Sequence, residues 1–126
     1  DLVTAFQNVS TAVDATGLCI FLTFGTTLES IRPVLTAATG FDWSDDDMLQ
    51  VGERIWNLER VWNMRAGITA ADDTLPKRML RDAIPAGPAA GEVNKLDVML
   101  PEYYRVRGWD EEGRPTEAKL AELGIA

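Results

Sequence analysis

The sequence predicts an all-α domain, an irregular helical bundle, on three observations. Apolar residues recur at three- and four-residue steps in successive runs. Capping and stopping residues stand at the ends of those runs. No run alternates apolar with polar residues as a half-buried strand would. At 126 residues the chain fits one domain with a core of its own.

Leu2, Val3, Phe6, Val9 and Val13 predict a first helix from about Leu2 to Ala12. That pattern is under way from the first residues, with no methionine ahead of it. It therefore reads as a helix entered part-way along, in a domain cut from a longer polypeptide, although a trimmed tag gives the same appearance. Asp14-Ala15-Thr16-Gly17 predicts a break, with an acid to cap and a glycine free to take positive φ. A second apolar stretch runs from Ile20 to about Ala38, where Pro33 kinks or divides it and Gly40 ends it.

Ser44 is an N-cap signal, followed by Asp45, Asp46 and Asp47 where a helix dipole favours negative charge. Met48, Val51, Ile55, Leu58 and Trp62 then form one stripe, predicted to be buried along a helix that reaches Arg65 and stops at Gly67. Ala83 to Gly91 (AIPAGPAAG) has two prolines and two glycines and predicts an ordered loop or connector. Asn94 is the candidate cap of a further helix in which Leu96, Met99, Leu100, Tyr103 and Arg107 share a face. Pro101 moves its expected start towards Leu100, and Gly108 ends it. Asp110 to Gly113 predicts a turn, and Thr116 caps a last short helix with Leu120 and Leu123 inward.

Composition excludes several function classes. A net charge of −8 disfavours nucleic acid and anionic membrane surfaces as partners. The longest near-apolar run, GLCIFLTFG from Gly17 to Gly25, is far short of the ~20 residues a spanning helix needs. The single cysteine forms no internal disulfide and agrees with a reducing, cytoplasmic setting. With no histidine, the commonest general base and nitrogen metal ligand are missing. One cysteine cannot by itself build a four-thiolate site.

Chemistry therefore concentrates on Asp14–Cys19 (DATGLC). An ionised Asp14 can accept two parallel hydrogen bonds from a planar donor pair. Gly17 permits close backbone approach to a ligand, and Cys19 stands near the start of the second helical stretch. A second reading fits the same residues: Cys19 as a small buried hydrophobe, Asp14 as a cap and Gly17 as a turn. Residue chemistry alone leaves both open. Glu59, Arg60 and Arg65 read as structural pairing, on a solvated helix face or bridging domains. The four tryptophans read as core or interface anchors. Of the adjacent Tyr103 and Tyr104, one is expected to face inward.

The pattern Asp14-x-x-Gly17-Leu18-Cys19 resembles the pterin- and cluster-binding motif of the aldehyde:ferredoxin oxidoreductase family. Four further stretches resemble that family in the same order: ERVWNMRAG (59–67), DDTLPKR (72–78), LDVMLPEYY (96–104) and RGWD (107–110), ahead of a closing Lys119-Leu120 and Glu122-Leu123-Gly124. The resemblance spans nearly the whole chain. It implies the C-terminal helical domain (residues 1–126) of a larger multidomain enzyme that oxidises aldehydes with water to carboxylic acids. Such an enzyme holds tungsten or molybdenum between two pterins, and a [4Fe-4S] cluster passes electrons to ferredoxin.

Carried over, Asp14 would hydrogen-bond a pterin edge, Cys19 would be the last cluster thiolate, and Gly17 and Leu18 would hold the loop between them. The family's cysteine triplet, first pterin motif and N-terminal sheet domain are absent from this sequence. So are the acidic and histidine residues credited with handling substrate. The isolated chain is thus expected to fold but to be inactive and free of cofactor. Its partners would be the N-terminal domains of the parent, and the face they cover would promote self-association of the fragment. The alternatives from another class are a stand-alone helical binding module and a separate subunit that kept the fold without the reaction.

Overall fold

Ser44 starts the longest helix of the molecule. In the computed structural model, which describes residues 1–125, its Oγ accepts the Asp47 N–H at 3.1 Å. Asp47 Oδ2 in turn accepts the Ser44 N–H at 2.9 Å, closing a capping box. The Ser44 hydroxyl and N–H both hold the Asp47 carboxyl below its usual pKa. Ala126, the last residue of the expected domain, lies outside the described residues.

The helices run α1 (Leu2–Ala15), α2 (Leu28–Thr39), α3 (Asp45–Arg65), α4 (Lys77–Arg81), α5 (Leu96–Arg107) and α6 (Glu117–Glu122). Short 3₁₀ turns lie at Ile20–Phe24 and Ala70–Asp72. Among the described residues there is no strand, only one isolated bridge between Trp109 and Pro115. The expected all-α bundle is observed. No described helix is long and apolar enough to cross a membrane.

α1 crosses α3 in backbone contact. A Cβ added to Gly52 would stand 2.0 Å from the Asn8 carbonyl oxygen, so only glycine allows this approach. The crossing sets which face of α3 is buried: Met48, Gly52, Asn57 and Arg60. The stripe expected from spacing is thus corrected. Met48 is buried, but Leu58 and Trp62 are 53% and 68% exposed, because the glycine contact rotates polar Asn57 and Arg60 inward. The apolar core is small, made of Ala12, Val13, Ile31 and Met48, with Ile20, Leu28, Leu35 and Trp43 against it.

Other boundaries also moved for local reasons. Val13 is fully buried, which holds α1 helical to Ala15. The second stretch divides at Gly25–Thr27 and not at Pro33, which lies inside an unbroken α2. There the Thr26 hydroxyl donates to the Leu22 carbonyl at 2.9 Å, competing with helix continuation. α5 starts at Leu96 with Lys95 as N-cap, and Pro101 sits within it. Asn94 does not cap it, since its backbone N–H is turned to the Met79 carbonyl. Residues 83–91 are irregular, and α4 carried no periodic signal. Gly108 ends α5, Gly113 N–H closes the 110–113 turn onto the Asp110 carbonyl, and Thr116 caps α6, all as the sequence predicts.

Candidate functional site

Asp14–Cys19 forms the exit of α1 and the entry to the first 3₁₀ turn. Asp14 lies in the last turn of α1, where the sequence had placed it in the break. There the helix dipole disfavours a carboxylate, and no basic residue shares the turn. Thr16 closes the helix, its hydroxyl donating to the Val13 carbonyl at 2.7 Å. Gly17 takes φ +79° and would have nothing within 4 Å of an added Cβ. Cys19 is the N-cap of the 3₁₀ turn, in extended conformation, with its thiol exposed.

Asp14, Gly17, Leu18 and Cys19 are therefore brought to one outward-facing loop. The exposed Cys19 does not have the surroundings of a small buried hydrophobe. Leu18, Phe21, Leu22 and Phe24 beside it are exposed too, at 38%, 71%, 43% and 86%. Among the described residues no group of three or more His, Cys, Asp or Glu side chains comes together to hold a metal.

The donor set fits one wall of a larger site. It offers a free carboxylate for a planar donor pair, a bare glycine backbone and a single thiol. It does not by itself hold a metal or a cluster.

The other motifs converge elsewhere. Arg60, 7% exposed, forks onto Asp73, with Nη1 to Oδ1 at 2.9 Å and Nη2 to Oδ2 at 2.5 Å. Its Nε donates to the Gly113 carbonyl at 2.8 Å, and the Tyr104 hydroxyl donates to the same Asp73 carboxylate. The guanidinium lies 5.1 Å over Trp109, whose Nε1 donates to buried Asn57 Oδ1 at 2.8 Å. Burial alone would lower the Arg60 pKa, but the Asp73 carboxylate outweighs it and raises it above its ordinary value. Burial, and then Asp73, pushes the Tyr104 hydroxyl up to about 12.

A second arginine completes the cluster. Arg107 is fully buried and meets no carboxylate among the described residues. Its Nη1 donates to Asn8 Oδ1 and its Nη2 to Gln7 Oε1, both at 2.7 Å, while Nε reaches the Tyr103 hydroxyl at 3.2 Å. It also stacks over Trp56 and Tyr103 at 5.4 and 5.5 Å. Both tyrosines thus face inward, which corrects the expectation of one. α5 lies between two polar walls, and Tyr103 meets α1 while Tyr104 meets Asp73.

A cavity of about 400 Å³ opens beside these residues, lined by Trp56, Asp73, Leu100, Tyr103, Tyr104 and Trp109 among others. The solvated-face reading of Arg60 is likewise corrected, although its pairing role stands. Asn8, Asn57 and Asp73 were missed in the sequence. In the sequence nothing sets Asn57 apart from a solvated helical asparagine, because it lies off the apolar stripe of α3.

The whole described chain, residues 1–125, matches the family model described as aldehyde ferredoxin oxidoreductase, domains 2 & 3. A tungsten-containing aldehyde ferredoxin oxidoreductase of Thermococcus kodakarensis is 52% identical over 122 residues, which is 96% of this chain and 20% of that protein. One of the same description from Pyrococcus abyssi is 50% identical over 125 residues, covering 98% and 21%. The WOR-like subunit of an aliphatic sulfonate oxidoreductase of Pyrococcus furiosus is 32% identical over 128 residues, covering 94% and 20%. The chain thus spans about a fifth of the length of these relatives. Match, order of motifs and helical architecture agree, and the chain belongs to the aldehyde ferredoxin oxidoreductase family.

Proposed function

We propose that this chain is the C-terminal helical domain of a tungsten- or molybdenum-pterin oxidoreductase that converts an aldehyde and water to a carboxylic acid. In this reading Asp14 accepts hydrogen bonds from the N–H edge of one pterin, and Cys19 supplies one thiolate of a [4Fe-4S] cluster. Gly17 and Leu18 hold the intervening backbone against the cofactor. When bound, the metal–bispterin and the cluster supply the redox chemistry and pass electrons to ferredoxin. This chain's residues bind and orient. The observation that carries the reading is the state of the Asp14–Cys19 loop: an acid set against its own helix dipole and an exposed thiol, in a family member. A donor pair from a ligand would offset the dipole cost at Asp14.

The partner implied is the rest of the polypeptide. A self-contained monomer of this mass exposes about 6,700 Å², whereas this chain exposes 8782 Å². Along α1 the apolar stripe passes from Val13, 0% exposed, to Phe6 at 69% and Leu2 at 84%. Such a face is buried by another domain, or by a second copy when the fragment stands alone. The setting we infer is cytoplasmic. Aldehyde is the substrate class of the relatives at about 50% identity. The sulfonate oxidoreductase relative widens the family's substrates, and the lining of this chain does not select among them.

The test is made in the intact parent. Cys19→Ser is expected to remove the cluster's visible absorption and its iron, and Asp14→Asn to lower pterin content. A full iron and pterin complement in both variants overturns the assignment. The 126-residue chain alone is expected to carry no stoichiometric iron, tungsten or molybdenum and no activity, by elemental analysis and visible spectrum. A parent gene without the upstream cysteine triplet would instead favour the stand-alone module or separate subunit.

A further inference from the structure

Between Leu75 and Asn94 the chain leaves the helical body and returns to it. The excursion closes on itself: Ile84 N–H donates to the Glu92 carbonyl and Gly91 N–H to the Ile84 carbonyl, both at 2.9 Å, and Asn94 N–H to the Met79 carbonyl at 3.3 Å. Its tether is Asp73, held by Arg60 and Tyr104. Every residue from 81 to 93 is exposed.

Three features of this lobe have no use inside the chain. Lys77, Arg78 and Arg81 are exposed and pair with no carboxylate among the described residues, on a protein of net charge −8. Met79, Ile84, Pro85 and Val93 line a groove of about 570 Å³ with Arg78, Asn94 and two carboxylates, Asp82 and Glu92, of which Glu92 is paired with Lys95. In that groove Asn94 Oδ1 is buried and accepts no hydrogen bond, alone among the buried side-chain polar atoms described. A buried acceptor left unpaired is costly, and such atoms are ordinarily satisfied.

We propose that this lobe receives an extended, acidic segment from the remainder of the parent polypeptide. The Asn94 side chain, half-buried with its Oδ1 unpaired, turns that oxygen out to accept a backbone N–H of the segment. An apolar side chain seats between Met79 and Val93, and carboxylates face Lys77, Arg78 and Arg81. The inference rests on the reading of the chain as one domain of a larger oxidoreductase. The relatives are about five times longer than the match, so a covalently linked segment is present at high effective concentration, which a second copy is not. The fork from Arg60 to Asp73 then has a further consequence: it fixes the angle at which the lobe meets that segment.

The experiment treats the intact parent with a carbodiimide, which joins lysine amines to carboxylates in contact, and maps the products by mass spectrometry. Lys77 is expected to be joined to a carboxylate outside this 126-residue segment. Lys77 left unjoined, joined within its own chain, or joined to a second copy in a mixed-isotope sample overturns the proposal. As a second measurement, Asn94→Leu in the intact parent is expected to speed amide exchange at Ile84, Gly91 and Glu92 about tenfold. Unchanged exchange there means that water satisfies Asn94 Oδ1, and the proposal fails. Neither readout depends on metal or pterin content, so its failure is distinguishable from failure of the oxidoreductase reading.

Discussion

Two parts of this chain carry the stretches that resemble the family's motifs, and they use their polar groups in opposite ways. In the Arg60–Asp73–Tyr104 cluster and its Arg107 neighbour, donors and acceptors are matched inside the chain and stacked on aromatic rings. In Asp14–Cys19 the carboxylate and thiol face outward with no side-chain partner among the described residues. A motif whose polar groups are satisfied internally acts on stability. A motif whose polar groups are left to solvent is free to act on something outside the chain. Substitutions should therefore separate the two regions.

The largest effect should come from Arg60→Ala. It strands the half-buried Asp73 carboxylate and empties a stack beneath Trp109, at a cost of about 4 kcal/mol, read by denaturant unfolding. A loss below about 1 kcal/mol would mean that the pair is solvent-screened, and the contrast between the regions would break. Gly52→Ala comes next, at about 3 kcal/mol. The new methyl meets the Asn8 carbonyl, pushes α1 off α3, and takes Gln7 and Asn8 away from Arg107. Loss of cooperativity in the Arg107 region would sharpen the case that this crossing supports the cluster.

Alkaline pH probes the same cluster more gently. An unfolded tyrosine loses its proton near pH ~10, whereas buried Tyr104 keeps its proton up to about 12. Between those values the folded state binds more protons than the unfolded one. The stabilisation is thus fully present below about pH 10 and is lost as pH rises towards 12. The thermal midpoint should fall more steeply there in the native chain than in Tyr104→Phe. Equal slopes would show that the hydroxyl is not coupled to folding.

Much of the fold was legible in the sequence, because caps and stops are local. Ser44, Gly108 and Thr116 do their work within four residues, and each was found. The α3 face was misread for the opposite reason. Apolar spacing favours Leu58 and Trp62, but a single glycine contact with a helix some forty residues away decides which side is buried. Asp73 was invisible as a partner of Arg60, since nothing in either motif encodes their meeting. Within the second stretch, Ile20 to about Ala38, a kink or division was sited at Pro33 by the general rule for proline. In the structure, threonine hydroxyls near Gly25 bring the break forward. At Asp14–Cys19 the positive φ of Gly17 was read correctly, whereas Asp14 lies inside α1 and Cys19 heads a 3₁₀ turn ahead of the next helix.

The smallest expected change in the chain's own stability belongs to Asp14→Asn and Cys19→Ser. Both side chains are exposed and make no side-chain hydrogen bond among those described, so each should lie within about 0.5 kcal/mol of the native chain. Asp14→Asn should be neutral or slightly stabilising, because it removes a negative charge from the C-terminal turn of α1. Scanning calorimetry of the chain measures this directly. A clear destabilisation would make the acid a structural group and return the loop to the same class as the Arg60 cluster. Near-neutral stability joined to loss of iron or pterin in the intact parent would place the two regions apart: one holds the domain together, the other reaches out of it.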